Sequence, residues 1–269
     1  MMPGLYIGCA GWSLAREHWP DFPDEGSHLQ RYASRFNAVE INSSFYRPHR
    51  AQTYARWAQT VPAGFRFSVK VPKLITHEHR LRGCEAALTT FLSQCTALGD
   101  KLGCLLVQLP PSLEYVPPIA DEFFRALRSQ YAGRVVLEPR HESWRQAQAL
   151  LTEHRIAQVA ADPCVISEGH LPGGWQGAHY WRLHGAPKIY HSAYSVERLD
   201  GLAGQMSAAV AAGIDTWCIF DNTASGAAVR DALVLQGLVT QHSAGQRSRM
   251  AAVFRPEAAH SMLRSVARH

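Results

Sequence analysis

Charged and hydrogen-bonding side chains close a series of short apolar runs along this chain. Glu40 and Asn42 follow Ala38-Val39, and Ser68 and Lys70 follow Phe65 and Phe67. Gln108 ends Cys104–Leu109, Glu138 and Arg140 end Val135–Leu137, and Asp162 ends Gln158–Ala161. Arg182 and His184 alternate with Trp181 and Leu183, and Asn222 follows Cys218–Phe220. Brought together, the cations Lys70, Arg140 and Arg182, with His184, would face the acids Glu40, Glu138 and Asp162. That mixture suits a phosphate or carboxylate, which a guanidinium grips through two parallel hydrogen bonds. In such a site Glu138 is the expected general acid or base, because surrounding cations tune its proton affinity. Lys70 and Arg182 would hold developing negative charge, with His184 as the proton carrier.

The loops add candidates. Lys73, His77, His79, Arg80 and Arg82 follow the third run, and Trp12, Phe45, Tyr46, Trp144, Tyr190 and Tyr194 offer rings for a sugar or base. For Phe45 and Trp144, packing is the stronger expectation. The substrate-binding set is therefore Glu40, Asn42, Tyr46, His77, Gln108, Arg140, Asp162, Arg182 and Asn222. No metal or cofactor is expected. In Thr76-His77-Glu78-His79 alternate side chains of an extended loop point apart, and Arg140 and Arg182 would repel an ion held by Glu138, Asp162 and His184. Ser43, Ser44 and Ser68 lack a nucleophile-elbow context. The competing reading of the polar set is a structural ring of ion pairs, Lys70 with Glu138 or Arg182 with Asp162.

Elements that would position these residues alternate along the chain. Strands are expected at Leu5–Gly8, Ala38–Asn42, Phe65–Val71, Cys104–Leu109, Val135–Arg140, Gln158–Asp162, His179–His184 and Thr216–Asn222. Helical stripes lie between them: Leu29-Tyr32-Ala33-Phe36, Tyr54-Trp57-Ala58-Val61, Leu88-Phe91-Leu92-Cys95, Ile119-Phe123-Leu127-Tyr131 and Leu199-Leu202-Met206-Val210. Eight strands with intervening helices predict an α/β TIM-type (β/α)8 barrel; a doubly wound sheet is disfavoured because no Gly-x-Gly-x-x-Gly turn follows an early strand. Pro163–Ala178 has no helical period and carries four glycines, so an irregular segment is expected after strand six. Strand parity turns Tyr180, Arg182, His184, Glu40, Asn42, Ser68, Lys70, Gln108, Glu138, Arg140 and Asp162 inward, at the carboxyl ends where barrels assemble their sites. On the last strand Asn222 shares a face with Phe220 and Cys218, while Asp221 follows Ile219.

The totals fit one such domain. The chain has 269 residues, 46% apolar and 18% charged, which excludes disorder and is a size that single barrels reach. No apolar run nears the ~20 residues of a membrane span, and Met1–Ser13 lacks the basic start of an export signal. A cytoplasmic protein is expected. Six scattered cysteines form no Cys-x-x-Cys pair and read as small buried hydrophobes. The net charge is +5, yet Val239–His269 holds five arginines (Arg247, Arg249, Arg255, Arg264, Arg268) against Glu257, leaving +1 elsewhere. The expected organisation is a barrel at 1–238 and a basic C-terminal extension at 239–269.

Several ordered segments resemble the domain of unknown function 72 (YecE-like) family. They are Gly8-Cys9-Ala10-Gly11-Trp12-Ser13, Phe36–Tyr46, Gly64–Lys70, Ile75-Thr76-His77, Gly99–Gly103, Gln108–Ser112, Glu138–Trp144, Arg182–Gly185 and Phe220–Thr223. The resemblance runs from about Leu5 to Gly237 and implies a TIM-type barrel without implying a reaction. Recurrent motif positions fall on Glu40, Asn42, Tyr46, Lys70, His77, Gln108, Glu138, Arg140, His141, Arg182, His184 and Asn222. Pro139, Asp221 and Asp231 depart from the pattern, the last two standing where Asn is common. The leading expectation is an enzyme acting on an anionic, sugar- or base-containing small molecule. The alternatives are a nucleic-acid-binding or endonuclease-IV-like phosphodiester hydrolase, by fold analogy alone, and a non-catalytic binding protein.

Overall fold

The structure, a computed structural model, describes residues 4–253, with side chains through Ala244. Ten strands form one sheet: β1 (Leu5–Ala10), β2 (Ala38–Ile41), β3 (Arg66–Lys70), β4 (Leu102–Gln108), β5 (Val135–Glu138), β6 (Ile156–Gln158), β7 (Ala160–Asp162), β8 (Gly173–Gly174), β9 (Ala178–Leu183) and β10 (Asp215–Phe220). Their spatial order is β7-β9-β10-β1-β2-β3-β4-β5-β6-β8, and all pairs are parallel except β6 with β8. The ring closes through Ile156–Asp162, whose first half pairs with β5 and whose second half pairs with β9. This is the expected eight-position barrel, with the sixth position divided at Val159.

Helices α1 (His28–Ala33), α2 (Ala51–Thr60), α3 (Glu85–Cys95), α4 (Pro117–Gln130), α5 (Gln148–Glu153), α6 (Val196–Ala211) and α7 (Ala227–Val253) flank the sheet. Their ends follow local chemistry. Ser27 and Gln30 make a reciprocal capping box on α1, and Pro117 opens α4, where a missing N–H costs nothing. The apolar stripes bury as expected; Phe123, Phe124 and Leu127 of α4 and Leu199, Leu202 and Met206 of α6 pack onto the outer face of the strands. Helix α7 runs without a break across position 239. The side chains of Arg247, Arg249, Arg255, Arg264 and Arg268 lie outside the described residues.

The irregular segment after β7 forms no helix and contributes only β8, paired with β6. Gly174 adopts φ +64°, and a Cβ there would sit 2.6 Å from the Ile156 carbonyl oxygen. A second close approach lies between β1 and β2. A Cβ on Gly8 would stand 1.9 Å from the Ala38 oxygen and 2.8 Å from the Tyr32 hydroxyl. That hydroxyl donates to Ala38 O and accepts from Cys9 N, satisfying both strands where they part.

A separate apolar layer fills the barrel interior: Ala38, Cys104, Leu106, Val136, Ala157, Val159, Ala178, Tyr180, Trp217 and Ile219. Trp217 plugs the amino-terminal end, stacked on Tyr6 at 4.4 Å and parallel to Tyr180 at 6.0 Å. Above this floor the inward positions become polar, which is what places a site at the opposite end.

Candidate active site

One residue organises the upper barrel. Arg182, on β9 and 1% exposed, donates from Nε to Glu40 Oε2 (3.0 Å), from Nη2 to Glu40 Oε1 (2.8 Å) and from Nη1 to Glu138 Oε2 (3.2 Å). Its Nη2 also lies 3.0 Å from Asp221 Oδ2. Below it the Tyr180 hydroxyl lies 3.1 Å from Glu40 Oε2 and 3.0 Å from Ser68 Oγ. Four strands thus contribute carboxylates or a guanidinium to one buried cluster.

His184 sits directly above. Its Nδ1 is 2.9 Å from Asp221 Oδ2, and a carboxylate fixes that nitrogen as the donor. The other nitrogen, Nε2, lies between opposite partners: Glu138 Oε1 at 3.0 Å can only accept, and Arg140 Nη2 at 2.7 Å can only donate. Neutral His184 accepts from Arg140; protonated His184 donates to Glu138. Arg140 completes it with an ion pair to Glu138 at 2.5 Å.

Burial pushes the Glu138 carboxyl upward, but Arg182, His184 and Arg140 outweigh it and hold the group well below its ordinary range. Asp221 is likewise raised by burial and brought down, on balance, by Arg182, His184 and Lys70. Both groups bind protons less readily folded than unfolded, so their stabilising contribution is full above the unfolded pKa and fades as pH falls through the folded one. Urea unfolding free energy is expected to be flat from pH 7 to pH 5 and to drop below about pH 4; a decline already complete at pH 5 would contradict this assignment.

Lys70 is the exception among the cations. It is buried, its ammonium lies 4.1 Å from the centre of the Phe45 ring, and it forms no ion pair or hydrogen bond from Nζ among the described residues. Burial, with Arg182 adding to it, lowers its pKa to about 8 despite Glu40, Glu138 and Asp221. Phe45 is therefore more than packing. Its edge also meets His77 at 4.9 Å, and His77 bonds Thr76 through Nδ1. Beyond Phe45 lies a largely apolar cavity of about 470 Å³, walled by Tyr46, Pro48, Leu74, Ile75 and Phe91. Tyr190, held at φ +69°, brings its ring edge-on to His184 at 6.0 Å.

The expected set divides accordingly. Glu40, Lys70, Glu138, Arg140, Arg182 and His184 converge. Gln108 pairs in register with Glu138, and among the described residues its amide makes no hydrogen bond and the buried Oδ1 of Asn42 has no partner. His77 borders the cluster through Phe45. Tyr46 is 71% exposed and touches Phe45 alone of these residues. Trp144 is packed, its Nε1 donating to Leu113 O.

Two assignments are corrected. Asp162 pairs in register with outward Leu183, whereas Ala161 pairs with inward Arg182; its carboxylate turns to Arg198 of α6 at 2.9 Å. The ion pair between Arg182 and Asp162 does not exist. Asn222 also faces the helices, donating to Asp231 Oδ2 of α7 (2.7 Å) and Ser192 O (2.9 Å). The residue missed in its place is Asp221, whose position two after inward Ile219 was the available signal. In this chain the departure at 221 supplies the third carboxylate on Arg182. Thr76-His77-Glu78-His79 disperses, with Glu78 to Lys73 and His79 to Arg82 O. Among the described residues no three His, Cys, Asp or Glu side chains are grouped to hold a metal.

The model of a family described as protein of unknown function DUF72 matches residues 6–254. The UPF0759 protein YecE of Escherichia coli strain K12 is 34% identical over 107 residues, 39% of this chain and 38% of YecE. The UPF0759 protein YunF of Bacillus subtilis strain 168 is 29% identical over 118 residues, 40% of each chain. The chain thus spans about two fifths of the length of the curated relatives it matches. Crystal structures of DUF72 family proteins from Thermotoga maritima MSB8 and Enterococcus faecalis V583 superpose with TM-scores of 0.72 each. They are 23% and 21% identical, over 88% of this chain and 99% and 95% of theirs. At that identity the likeness shows a shared barrel fold. No helix among the described residues is long and apolar enough to cross a membrane.

Proposed function

Since this chain belongs to the DUF72 family of proteins of unknown function, a fold without a stated reaction, we propose that its activity resides at the carboxyl-terminal mouth of the barrel. There it acts as an enzyme on a small molecule bearing a phosphate or carboxylate. The observation that carries this reading is Lys70. The other charges in the cluster are ion-paired within the protein, Arg140 keeping only its buried Nε without a partner, while among the described residues the Lys70 ammonium has no ion pair or hydrogen bond. A desolvated, unpaired cation is costly unless a ligand completes it. Arg140 and the Gln108 amide stand at the same mouth to orient that ligand. His184 then moves a proton between Nε2 and the substrate, with Asp221 fixing its tautomer and Glu138 stabilising the imidazolium. Six unpaired thiols support a reducing, cytoplasmic setting for this chemistry.

Calorimetric titration and thermal shift with inorganic phosphate and a panel of phosphorylated and carboxylated metabolites test the reading. The wild type is expected to bind at least one, and Lys70→Met to bind it at least about tenfold more weakly, the loss of one charge-assisted contact. No binding by the wild type, or affinity indifferent to the substitution, removes the proposal. Steeply salt-dependent binding of duplex DNA in place of small anions would instead favour a nucleic-acid substrate.

A further inference from the structure

We infer that Lys70 is a covalent nucleophile whose substrate carries an aldehyde or ketone beside its anionic group, an oxo acid or a phosphorylated carbonyl compound; this rests on the mouth being the active site. The chain has four lysines. Lys73 pairs with Glu78 on the rim, Lys101 donates to Pro62 O, and Lys188 is exposed. Lys70 alone ends a barrel strand inside the polar cluster. The three nearby carboxylates are each engaged by Arg182, and two of them also by His184. Among the described residues no carboxylate therefore pairs with the Lys70 amine directly; the Phe45 ring at 4.1 Å and the more distant acids favour its charged form only in part against burial.

An amine attacks a carbonyl only when neutral, and ordinary lysine is almost never so at neutral pH. With its pKa near 8, roughly one Lys70 in ten is neutral at pH 7. The Nζ lone pair forms the C–N bond as the carbonyl π pair moves to oxygen. One proton passes from nitrogen to that oxygen, giving a carbinolamine. A second proton, lent to the hydroxyl by a neighbouring acid, lets water leave as nitrogen forms the double bond, and the proton left on nitrogen returns to that group. The net change is amine plus carbonyl to imine plus water, with no external oxidant or reductant. His184, served at Nε2 by both a donor and an acceptor, is the group placed to relay those protons.

Sodium cyanoborohydride traps such an imine as a stable secondary amine. The intact protein would be incubated with the reductant and pyruvate, glyoxylate or glyceraldehyde 3-phosphate, and the adduct mapped by peptide mass spectrometry. The expected result is one dominant adduct on Lys70, with a labelling rate that rises between pH 7 and pH 9. Lys70→Arg should lose the adduct. Labelling spread over Lys73, Lys101 and Lys188 without preference, or no Lys70 adduct with any probe, overturns the inference. If phosphate still binds in that case, the covalent step falls and the anion site stands. If binding is absent too, both fall. The wild-type map decides the matter even where a variant fails to fold.

Discussion

Arg182→Met is expected to destabilise the protein by about 3–5 kcal/mol, the penalty for stranding buried charges by removing their partner. Arg182 is 1% exposed and holds Glu40, Glu138 and Asp221 at once. Its own pKa, pressed down by burial, is raised well above the ordinary value by Asp221, Glu40 and Glu138. Methionine matches much of the stem and none of the charge. Three carboxylates would then share Arg140, His184 and Lys70, none of which reaches Glu40 by hydrogen bond among the described residues. Two checks identify the cause in urea unfolding. The deficit should shrink toward pH 4, where carboxylates take up protons. Adding Glu40→Gln to Arg182→Met should recover part of it, since a neutral amide needs no counter-charge. A deficit under about 1 kcal/mol at pH 7, or one insensitive to pH, would show that the cluster is not an ionic hub.

Lys70→Met should do the reverse and raise stability at pH 7 by about 1.5–3 kcal/mol. A lowering from 10.5 to about 8 means that folding penalises the charged amine, by about 1.4 kcal/mol per pKa unit. The cation–π contact with Phe45, worth about 0.5–2 kcal/mol, opposes part of the gain. Below pH 8 both folded and unfolded chains carry the proton and the penalty is full. Between pH 8 and pH 10.5 the folded chain has released it and the unfolded one has not, so the wild type gains stability as pH rises. The advantage of the variant should therefore narrow across that window. A variant less stable than wild type at pH 7, or an advantage constant to pH 10.5, would remove the case for a strained ammonium. Proteins keep such a residue where function requires it.

Regular strands made their inner faces legible in the sequence. Tyr180, Arg182 and His184 alternate with Trp181 and Leu183, so bulk on one side identified polarity on the other, and Glu40 and Glu138 followed from equally clear neighbours. Asp162 failed because Val159-Ala160-Ala161 offers no contrast in size, and alanine suits either face. Asn222 failed for a different reason. Asp221 and Asn222 are adjacent and both polar; the alternation through Trp217 and Ile219 turns Asp221 inward, and Asn222, on the face of Cys218 and Phe220, is held by Asp231 on α7. Phe45, in the turn after β2, looked like packing because its contact, Lys70, comes from the end of β3. The barrel itself, a repeat of short-range patterns, was readable throughout; the pairings that tune individual charges were not.

The divided sixth position has a mechanical meaning. Between β5 and β9 the peptide ladder is short, three residues on either side of Val159. Glu138 stands at the end of one neighbour, Arg182 and His184 on or just past the other, and their contacts reach across that gap. The hoop is thus clasped by side chains where its backbone stitching is divided. Side chains at the mouth and the backbone ladder beneath them therefore share the closing of the cylinder.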